Sequence, residues 1–421
     1  MASATLQARR RVWLAVHRWL GLVFGAAFVL LGLTGSLLVF YTELDAVLNP
    51  RLAWRPADGT VQHYEPVLRA LQSAHPQREG SWRIELPPQG RGVVTARYLR
   101  PLETTGQGFA PLLATVHPAT HEVLASRFWG ETAMTWVYDL HYTLLAGDAG
   151  RWTVGGLGAL LAVSLLSGVW LWWPTPAQRA AAWRLKRGAG WPRRVFDLHR
   201  LGGVYPLLLT ALLALTGVVL AWPELIEPAV ARLSPPLTVA ASASGPRGAT
   251  KAASAKPSTD WAARPSPTGH ASAPRAEPPQ PGAPFIGIDT ALQRARERFP
   301  QGVPRWIDTP EPATGTYRIR LQQPGEPSER FPRTLVWIDA WRGEVLAVRD
   351  ARAQGAGDTL LAWVHPLHNG EAFGLPGRIL VCAAGLVPLL LAVTGVMRWL
   401  DRRRGERARR ARVRALSAPA P

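Results

Sequence analysis

The residues of this sequence best suited to chemistry are histidines placed at matched positions beside apolar segments. His17 and His199 each begin one such segment, and each is followed by Arg and, four residues on, by Gly. His141 and His368 each stand ahead of another apolar segment. Neutral imidazole is a good iron ligand, and the cores of helical bundles commonly hold cofactors. Two imidazole pairs at two depths of a bundle therefore suit two haems, each held by two histidines.

Alternative interpretations of these residues stay open. A histidine beside Arg at the end of an apolar segment often contacts lipid headgroups, and a duplication would copy such a structural residue. His365 lies one helical turn before His368 and competes for the same ligand position. Gly21, Gly25 and Gly203 share a helix face with the ligand candidates. They leave room for a flat macrocycle, or they simply let helices approach closely.

Several other cofactors are excluded by the motifs that the sequence lacks. The single cysteine, Cys382, rules out a disulfide framework and any Cys-rich zinc or iron–sulfur site. There is no Cys-x-x-Cys-His for covalent haem attachment, no Gly-x-Gly-x-x-Gly after a soluble strand and no Walker motif. The haems are therefore expected to be non-covalent haem b, and a nicotinamide, flavin or ATP would have to come from another protein.

Four uncharged apolar stretches would position these histidines. Each has about the 20 residues needed to cross a hydrocarbon core of about 30 Å, with Trp or Tyr near its ends as in interfacial belts. The absence of charge within them argues against an ion-coupled pump of the usual type. The stretches are Trp19–Tyr41, Trp152–Trp173, Leu201–Trp222 and Ile379–Met397.

The positive charge of the chain predicts its topology. A net charge of +19 over 421 residues would usually suggest nucleic acid. Residues 1–18 carry +4, and residues 174–200 and 401–421 carry +6 each, so 16 of the 19 charges lie in three short blocks. The positive-inside rule then places both termini in the cytoplasm and the two long loops outside. We expect a multi-pass protein of the bacterial inner membrane whose partner is the lipid bilayer, with no nucleic acid.

The chain repeats itself. Two of the four histidines are followed after 17 residues by a hydroxyl residue and a glycine, and the other two after 26 residues. The long loops match as well, since Val116–Leu124 parallels Ile338–Leu346. Span, outer domain and span therefore form a unit that is used twice in the same orientation. The hydroxyl–glycine pairs are Thr34-Gly35, Ser167-Gly168, Thr216-Gly217 and Thr394-Gly395.

The predicted fold is a four-helix transmembrane bundle with two small α+β periplasmic domains, built as an internal duplication. Each long loop reads as a helix followed by short strands with alternating apolar residues. Residues 234–284, rich in Pro, Ala, Ser and Gly, have no counterpart and are predicted to be a disordered linker. The predicted segments are the basic cytoplasmic N-terminus 1–11, helix 12–41, outer domain 42–140, lead-in and helix 141–174, basic cytoplasmic loop 175–197, helix 198–222, outer domain 223–364 with the linker, lead-in and helix 365–400, and basic cytoplasmic tail 401–421.

At these residues the chain resembles the PepSY-associated transmembrane helix family, which includes iron-regulated membrane proteins and ferric-siderophore reductases. The resemblance rests on the His-Arg-x-x-Gly motifs at His17 and His199, and on the segments 139–142 and 366–370. The outer domains are similar to PepSY modules, with His117 where Asp is more usual. The match covers most of the chain except 234–284 and the basic tail.

The resemblance implies a haem-dependent transmembrane ferric (siderophore) reductase. His17 and His199 match the ligands of an inner haem b. His141 and His368 match those of an outer one, with His365 as competitor for the last position. The implied acceptor is a ferric siderophore or another periplasmic iron chelate, and the donor is a cytoplasmic flavin reductase or quinol. The alternative function is that of a PepSY-bearing membrane sensor or protease-regulating protein without redox activity.

Overall fold

The computed structural model of the protein describes residues 2–107, 109–234, 240–241, 274–311 and 314–416. The chain divides into two compact units. The helical unit comprises Met1–Val39, Trp152–Ala221 and His368–Pro421, and the sheet unit comprises Phe40–Arg151 and Trp222–Leu367. Most of the predicted linker 234–284 lies outside the described residues.

Helices account for most of the described chain. Short 3₁₀ turns at 56–58, 88–90, 102–104, 176–178, 351–353 and 371–373 connect several elements. The α-helices are α1 (Ala2–Val39), α2 (Tyr41–Leu48), α3 (Glu65–Ala74), α4 (Ala133–Thr143), α5 (Gly147–Trp172), α6 (Arg179–Ala182), α7 (Trp191–Val204), α8 (Leu207–Ala221), α9 (Pro223–Leu233), α10 (Ile288–Arg298), α11 (Ala356–Asn369), α12 (Gly374–Gly385) and α13 (Val387–Leu416).

The strands are short, antiparallel and confined to the sheet unit. They are β1 (Trp82–Glu85), β2 (Val94–Tyr98), β3 (Leu112–Val116), β4 (Val123–Phe128), the two-residue β5 (Ala240–Ala241), β6 (Val303–Asp308), β7 (Thr316–Gln322), β8 (Thr334–Asp339) and β9 (Val345–Arg349).

The helical unit contains the candidate membrane spans. Among the described residues, Gln7–Val39, Gly147–Trp172 and Glu371–Val413 are long and apolar enough to cross a membrane. A fourth candidate is the pair α7 and α8, which bend by 57° relative to each other. The third predicted span is thus broken and begins at Trp191 rather than at 198. Pro206 stands at the break, where it lacks a backbone N–H and its ring clashes with the preceding turn.

Small residues bring α1 and α12 together. A Cβ added to Gly385 would lie 2.5 Å from the carbonyl oxygen of Gly32, so the two backbones nearly touch. Ser36 Oγ donates a hydrogen bond of 2.8 Å across this contact to the carbonyl of Cys382. Helices in an apolar environment associate through such close packing and such hydrogen bonds. This contact therefore packs the first predicted span along the chain against the last one.

The sheet unit is built on one antiparallel sheet in the order β4-β3-β2-β1-β6-β7-β8-β9-β5. Strands β1–β4 and β6–β9 each form a meander, and the two meanders join where β1 pairs with β6 and Ile84 lies opposite Ile307. Helices α3 and α10 cover one face through residues such as Leu71 and Leu292, which are fully buried there. The two outer segments predicted as two domains therefore share one sheet, because the pairing of β1 with β6 removes two exposed strand edges.

The turns β3–β4 and β8–β9 have the same geometry. His117 Nδ1 and Asp339 Oδ1 each accept a backbone N–H from within their own turn, at 3.1 Å and 2.9 Å. Four residues on, His121 has φ +59° and Gly343 has φ +72°. The left-handed region favours glycine. In the first turn the His117 imidazole accepts the hydrogen bond that the Asp339 carboxylate accepts in the second. His121 occupies the position that Gly343 occupies there.

A buried ion cluster ties the two meanders together. Asp308 on β6 accepts from Arg83 Nε on β1 at 2.6 Å and from Arg318 Nε on β7 at 2.7 Å. Arg83 is only 1% exposed. Burial alone would raise the pKa of the Asp308 carboxyl, but Arg318 and Arg83 hold that pKa well below its usual range. The carboxylate is therefore ionised and shared between the two halves of the sheet.

Candidate functional site

His17 lies on α1 with its ring turned towards α5. Its Nδ1 is 3.0 Å from Ser167 Oγ and 3.1 Å from the carbonyl oxygen of Ser164. Ser167 Oγ itself donates to that same carbonyl at 2.7 Å. A carbonyl only accepts, and the single hydroxyl proton is already used. The network therefore favours a proton on Nδ1 of His17, which leaves the Nε2 lone pair for a metal.

His199 and His368 have the same setting as His17. Nδ1 of His199 on α7 is 2.9 Å from Thr394 Oγ1 on α13. Nδ1 of His368 on α11 is 2.9 Å from Thr216 Oγ1 on α8. Both threonines donate to a carbonyl four residues earlier in their own helix, at 2.6 Å and 2.7 Å. By the same reasoning the Nε2 atoms of both histidines carry a lone pair.

The glycine after each hydroxyl residue makes room for the imidazole. A Cβ at Gly168 would lie 3.2 Å from Cε1 of His17. A Cβ at Gly395 would lie 3.4 Å from Cε1 of His199, and a Cβ at Gly217 would lie 3.3 Å from Cε1 of His368. Such contacts are tighter than an ordinary van der Waals contact, so a methyl group would displace the ring. Hydroxyl and glycine together fix where each ring lies and which nitrogen carries the proton.

The structure brings His17 and His199 together in the helical unit. Their ring centroids are 6.2 Å apart with an interplanar angle of 82°. Two metal–imidazole bonds of about 2 Å, extended by the radius of each ring, require a centroid separation of about 6 Å. A separation of this size would let the imidazoles of His17 and His199 hold one metal ion between them.

Open space adjoins this pair on the helix faces where the macrocycle is expected. A Cβ added to Gly21, one turn after His17, would meet no atom within 4 Å. At Gly203, one turn after His199, the nearest atom would be 3.7 Å away on Leu391. Gly25 is buried and faces Ala392. Gly21 therefore leaves room for a planar cofactor, whereas Gly203 and Gly25 lie in ordinary contact with α13.

The other two histidine candidates belong to the sheet unit. His141 is partly buried in the last turn of α4. Asp139, two residues earlier, accepts from Trp129 Nε1 at 2.8 Å, and burial raises the pKa of Asp139 to about 6 against the effect of that hydrogen bond. His365 on α11 packs edge-on against Phe331, with ring centroids 4.9 Å apart. His368 belongs to the helical unit, so the predicted outer pair is divided between the units.

The hydroxyl–glycine pairs are the functional residues whose role the sequence does not reveal. In the sequence they appear only as markers of the repeat, at fixed distances along the same chain segment. In the structure three of the pairs contact a histidine on another helix. Thr34 Oγ1 donates to the carbonyl of Leu30 at 2.7 Å, so the fourth pair has the same bond within its helix. The signal in the sequence was the constant spacing to the histidines.

Other metal chemistry finds no support in the described part of the chain. There, no group of three or more His, Cys, Asp or Glu side chains could hold a metal ion. Axial ligation needs only two imidazoles, because a macrocycle supplies the remaining ligands. A metal held by His17 and His199 alone would therefore need a macrocycle for its other ligands.

Comparison with known proteins gives one match. A family model described as "PepSY-associated TM region" matches residues 14–402. No curated protein matches the chain. The matched range contains all five candidate histidines.

Proposed function

Because the chain belongs to the PepSY-associated TM region family, we propose that this membrane protein is a di-haem b oxidoreductase. It would move electrons across the bacterial inner membrane to a periplasmic ferric chelate, for which we propose a ferric siderophore. The observation that carries the proposal is the common setting of three histidines, each with Nδ1 bound to a hydroxyl and its ring against a glycine. A histidine that only contacts lipid headgroups needs no such setting.

In this proposal His17 and His199 hold the inner haem, and His141 and His368 hold the outer one. Bound there, the two haems supply one-electron transfer in steps shorter than the about 30 Å of the hydrocarbon core. The bond from Nδ1–H to a hydroxyl fixes the ring orientation and raises the basicity of Nε2. His368 has this bond, and we therefore assign the ligand role to His368.

The sheet unit offers a place for the acceptor. A cleft of about 320 Å³ opens beside α11, with Arg333, Arg352, Glu326 and Trp363 in its lining. Guanidinium groups beside an aromatic wall suit a small anionic oxygen chelate. Fe(II) binds such chelators more weakly than Fe(III), so reduction would release the metal. A cytoplasmic flavin reductase or quinol is proposed as the donor, because the sequence contains no nucleotide motif of its own.

Spectra of the protein purified in detergent test the proposal. We expect b-type bands after dithionite reduction and two haems per chain. His17→Ala and His199→Ala should each remove the same half of the signal, and His141→Ala and His368→Ala the other half. His63→Ala is the matched control, since its side chain is 73% exposed in the sheet unit and should leave both haems in place.

Two outcomes would overturn the proposal. A chain produced with adequate haem that shows no b-type bands would leave the PepSY-bearing sensor or protease regulator as the better description. Unchanged spectra in all four histidine variants would show that the bound haem uses other ligands. Reduction of a ferric siderophore by the purified protein, supplied with dithionite as donor, then tests the acceptor separately.

A further inference from the structure

Arg398 stands directly beside the proposed inner site. It lies on α13, one helical turn after Thr394, whose hydroxyl holds His199. Its guanidinium carbon lies 4.6 Å above the ring of Phe196, which is three residues before His199 on α7. The Arg398 cation also interacts electrostatically with both His17 and His199. The geometry therefore places a positive charge one helical turn from the hydroxyl that bonds His199 and against Phe196, three residues before it.

Three guanidinium groups surround Phe196, but only two of them have a carboxylate. Arg193 and Arg200 lie 5.1 Å and 5.7 Å from the centre of the ring, and both form ion pairs with Asp197, at 3.2 Å and 3.0 Å. Asp197 is only 1% exposed and also accepts the backbone N–H of Lys186. Across the described ranges, no carboxylate lies within ion-pair distance of Arg398.

The repeat shows that Arg398 is not required by the packing of the spans. Ser167-Gly168 on α5 corresponds to Thr394-Gly395 on α13, and four residues after the hydroxyl the first copy has Leu171 where the second has Arg398. An apolar side chain therefore serves this position next to His17. The cation is specific to the His199 side of the pair.

A partly buried guanidinium without a carboxylate indicates an anion from outside the chain. Taking an ion out of water costs free energy unless it is paired. We propose that Arg398 binds a carboxylate of the porphyrin held by His17 and His199. The inference rests on the proposed function, and it adds a residue that both anchors the cofactor and sets its potential. A cation beside the iron favours the reduced state, because reduction adds a negative charge.

A comparison of two porphyrins in two variants tests this assignment. The apoprotein is loaded in detergent either with haem b or with its dimethyl ester, which lacks free carboxylates. With haem b, Arg398→Gln should lower the reduction equilibrium constant of one haem about tenfold, which is 59 mV for one electron. The other haem should stay within twofold. With haem b, the inner site of Arg398→Gln should also bind about tenfold more weakly than that of wild type. With the dimethyl ester, the two affinities should agree within twofold, because the ester has no carboxylate for Arg398 to bind.

Arg403→Gln is the matched control, because Arg403 is an exposed arginine on the same helix, stacked at 4.3 Å on Trp399. It should change neither haem. Arg398→Lys keeps the charge and should shift the potential less than Arg398→Gln. If Arg398→Gln does not fold, the wild-type protein still tests the assignment. Its inner site should bind the dimethyl ester about tenfold more weakly than haem b.

The outcomes separate this assignment from the proposed function. An equal loss of affinity of Arg398→Gln for haem b and for the ester, or equal affinity of wild type for both, would assign Arg398 to another anion such as a lipid phosphate. A wild type with two haems and an Arg398→Gln variant that behaves like Arg403→Gln would overturn the assignment alone. A wild type that binds no haem would overturn the proposed function with it.

Discussion

At the residue scale, the state of one ring nitrogen depends on a group bonded to the other. Ser167, Thr216 and Thr394 each use their only proton on a helix carbonyl, so they can only accept from an imidazole. Ligand histidines in metalloproteins commonly have such a partner on the nitrogen away from the metal. The hydroxyl groups should therefore matter for cofactor binding although they never contact the metal.

The first prediction concerns Thr394→Val, which keeps the shape of the side chain and removes the hydroxyl. Losing the partner of His199 Nδ1 should weaken binding at the inner haem about 10- to 100-fold. Haem titration of the apoprotein, followed by absorbance, measures the change. Thr210→Val is the control, because Thr210 is also buried and bonded within its helix, to Pro206 at 3.0 Å. If both variants bind haem equally well, the hydroxyl has no such role.

At the element scale, the junction of β1 with β6 makes one sheet out of two meanders. The ion cluster around Asp308 lies at that junction, and the β8–β9 turn and its β3–β4 counterpart close the outer hairpins. Different interactions stabilise the strand junction and the turns. A buried carboxylate depends on its cations, whereas a turn depends on the backbone angle of one residue.

The second prediction is that Asp308→Asn destabilises the protein by about 3–5 kcal/mol, because it removes the carboxylate that pairs with the buried Arg83 and the partly exposed Arg318. The pKa of Asp308 is lowered in the fold, so its contribution is present above the unfolded pKa of about 3.9 and is lost as the pH falls below it. Thermal unfolding in detergent, followed by circular dichroism, measures both effects. Equal acid sensitivity of wild type and variant would contradict this account of the cluster.

The third prediction is that His121→Gly stabilises the β3–β4 turn. A non-glycine residue in the left-handed region costs roughly 1 kcal/mol, and Gly343 shows that the equivalent turn takes glycine. The expected gain in the free energy of unfolding is therefore about 1 kcal/mol. Gly343→Ala, the reverse change, should destabilise by a similar amount. A loss of stability in His121→Gly would mean that the imidazole makes contacts that outweigh the strain.

At the scale of the whole molecule, the charge blocks predict an orientation that reporter fusions can test. Sixteen of the 19 net charges lie in residues 1–18, 174–200 and 401–421. The fourth prediction is that a fluorescent protein fused after residue 421 fluoresces in the cytoplasm, and that alkaline phosphatase inserted within 242–273 is active outside. Replacing the eight arginines of the tail by Gln should weaken this orientation. The opposite reporter pattern would place the sheet unit in the cytoplasm.

Much of the molecule was predictable because apolar length, charge and repeats act on whole segments. The family assignment is confirmed, and so is the membrane character of the chain. The break at Pro206 and the shared sheet were missed. A proline in an apolar run permits a kink without requiring one, and strand pairing between distant segments leaves no local trace. The hydroxyl partners were missed because spacing along one helix cannot show which neighbouring helix a side chain faces.

The imidazoles of His17, His199 and His368 are each hydrogen-bonded to a hydroxyl group on a different helix, and this arrangement affects when the inner pair can form during synthesis. Ribosomes synthesise α1 first and α13 last. The inner pair needs segments from both ends of the chain, because His17 on α1 is hydrogen-bonded to α5 and His199 is hydrogen-bonded to Thr394 on α13. A nascent chain that stops before α13 therefore lacks Thr394, the hydrogen-bond partner of His199. Under the proposed function, tight binding of the inner haem would therefore follow insertion of the last span, and a nascent chain that stops earlier would bind it more weakly.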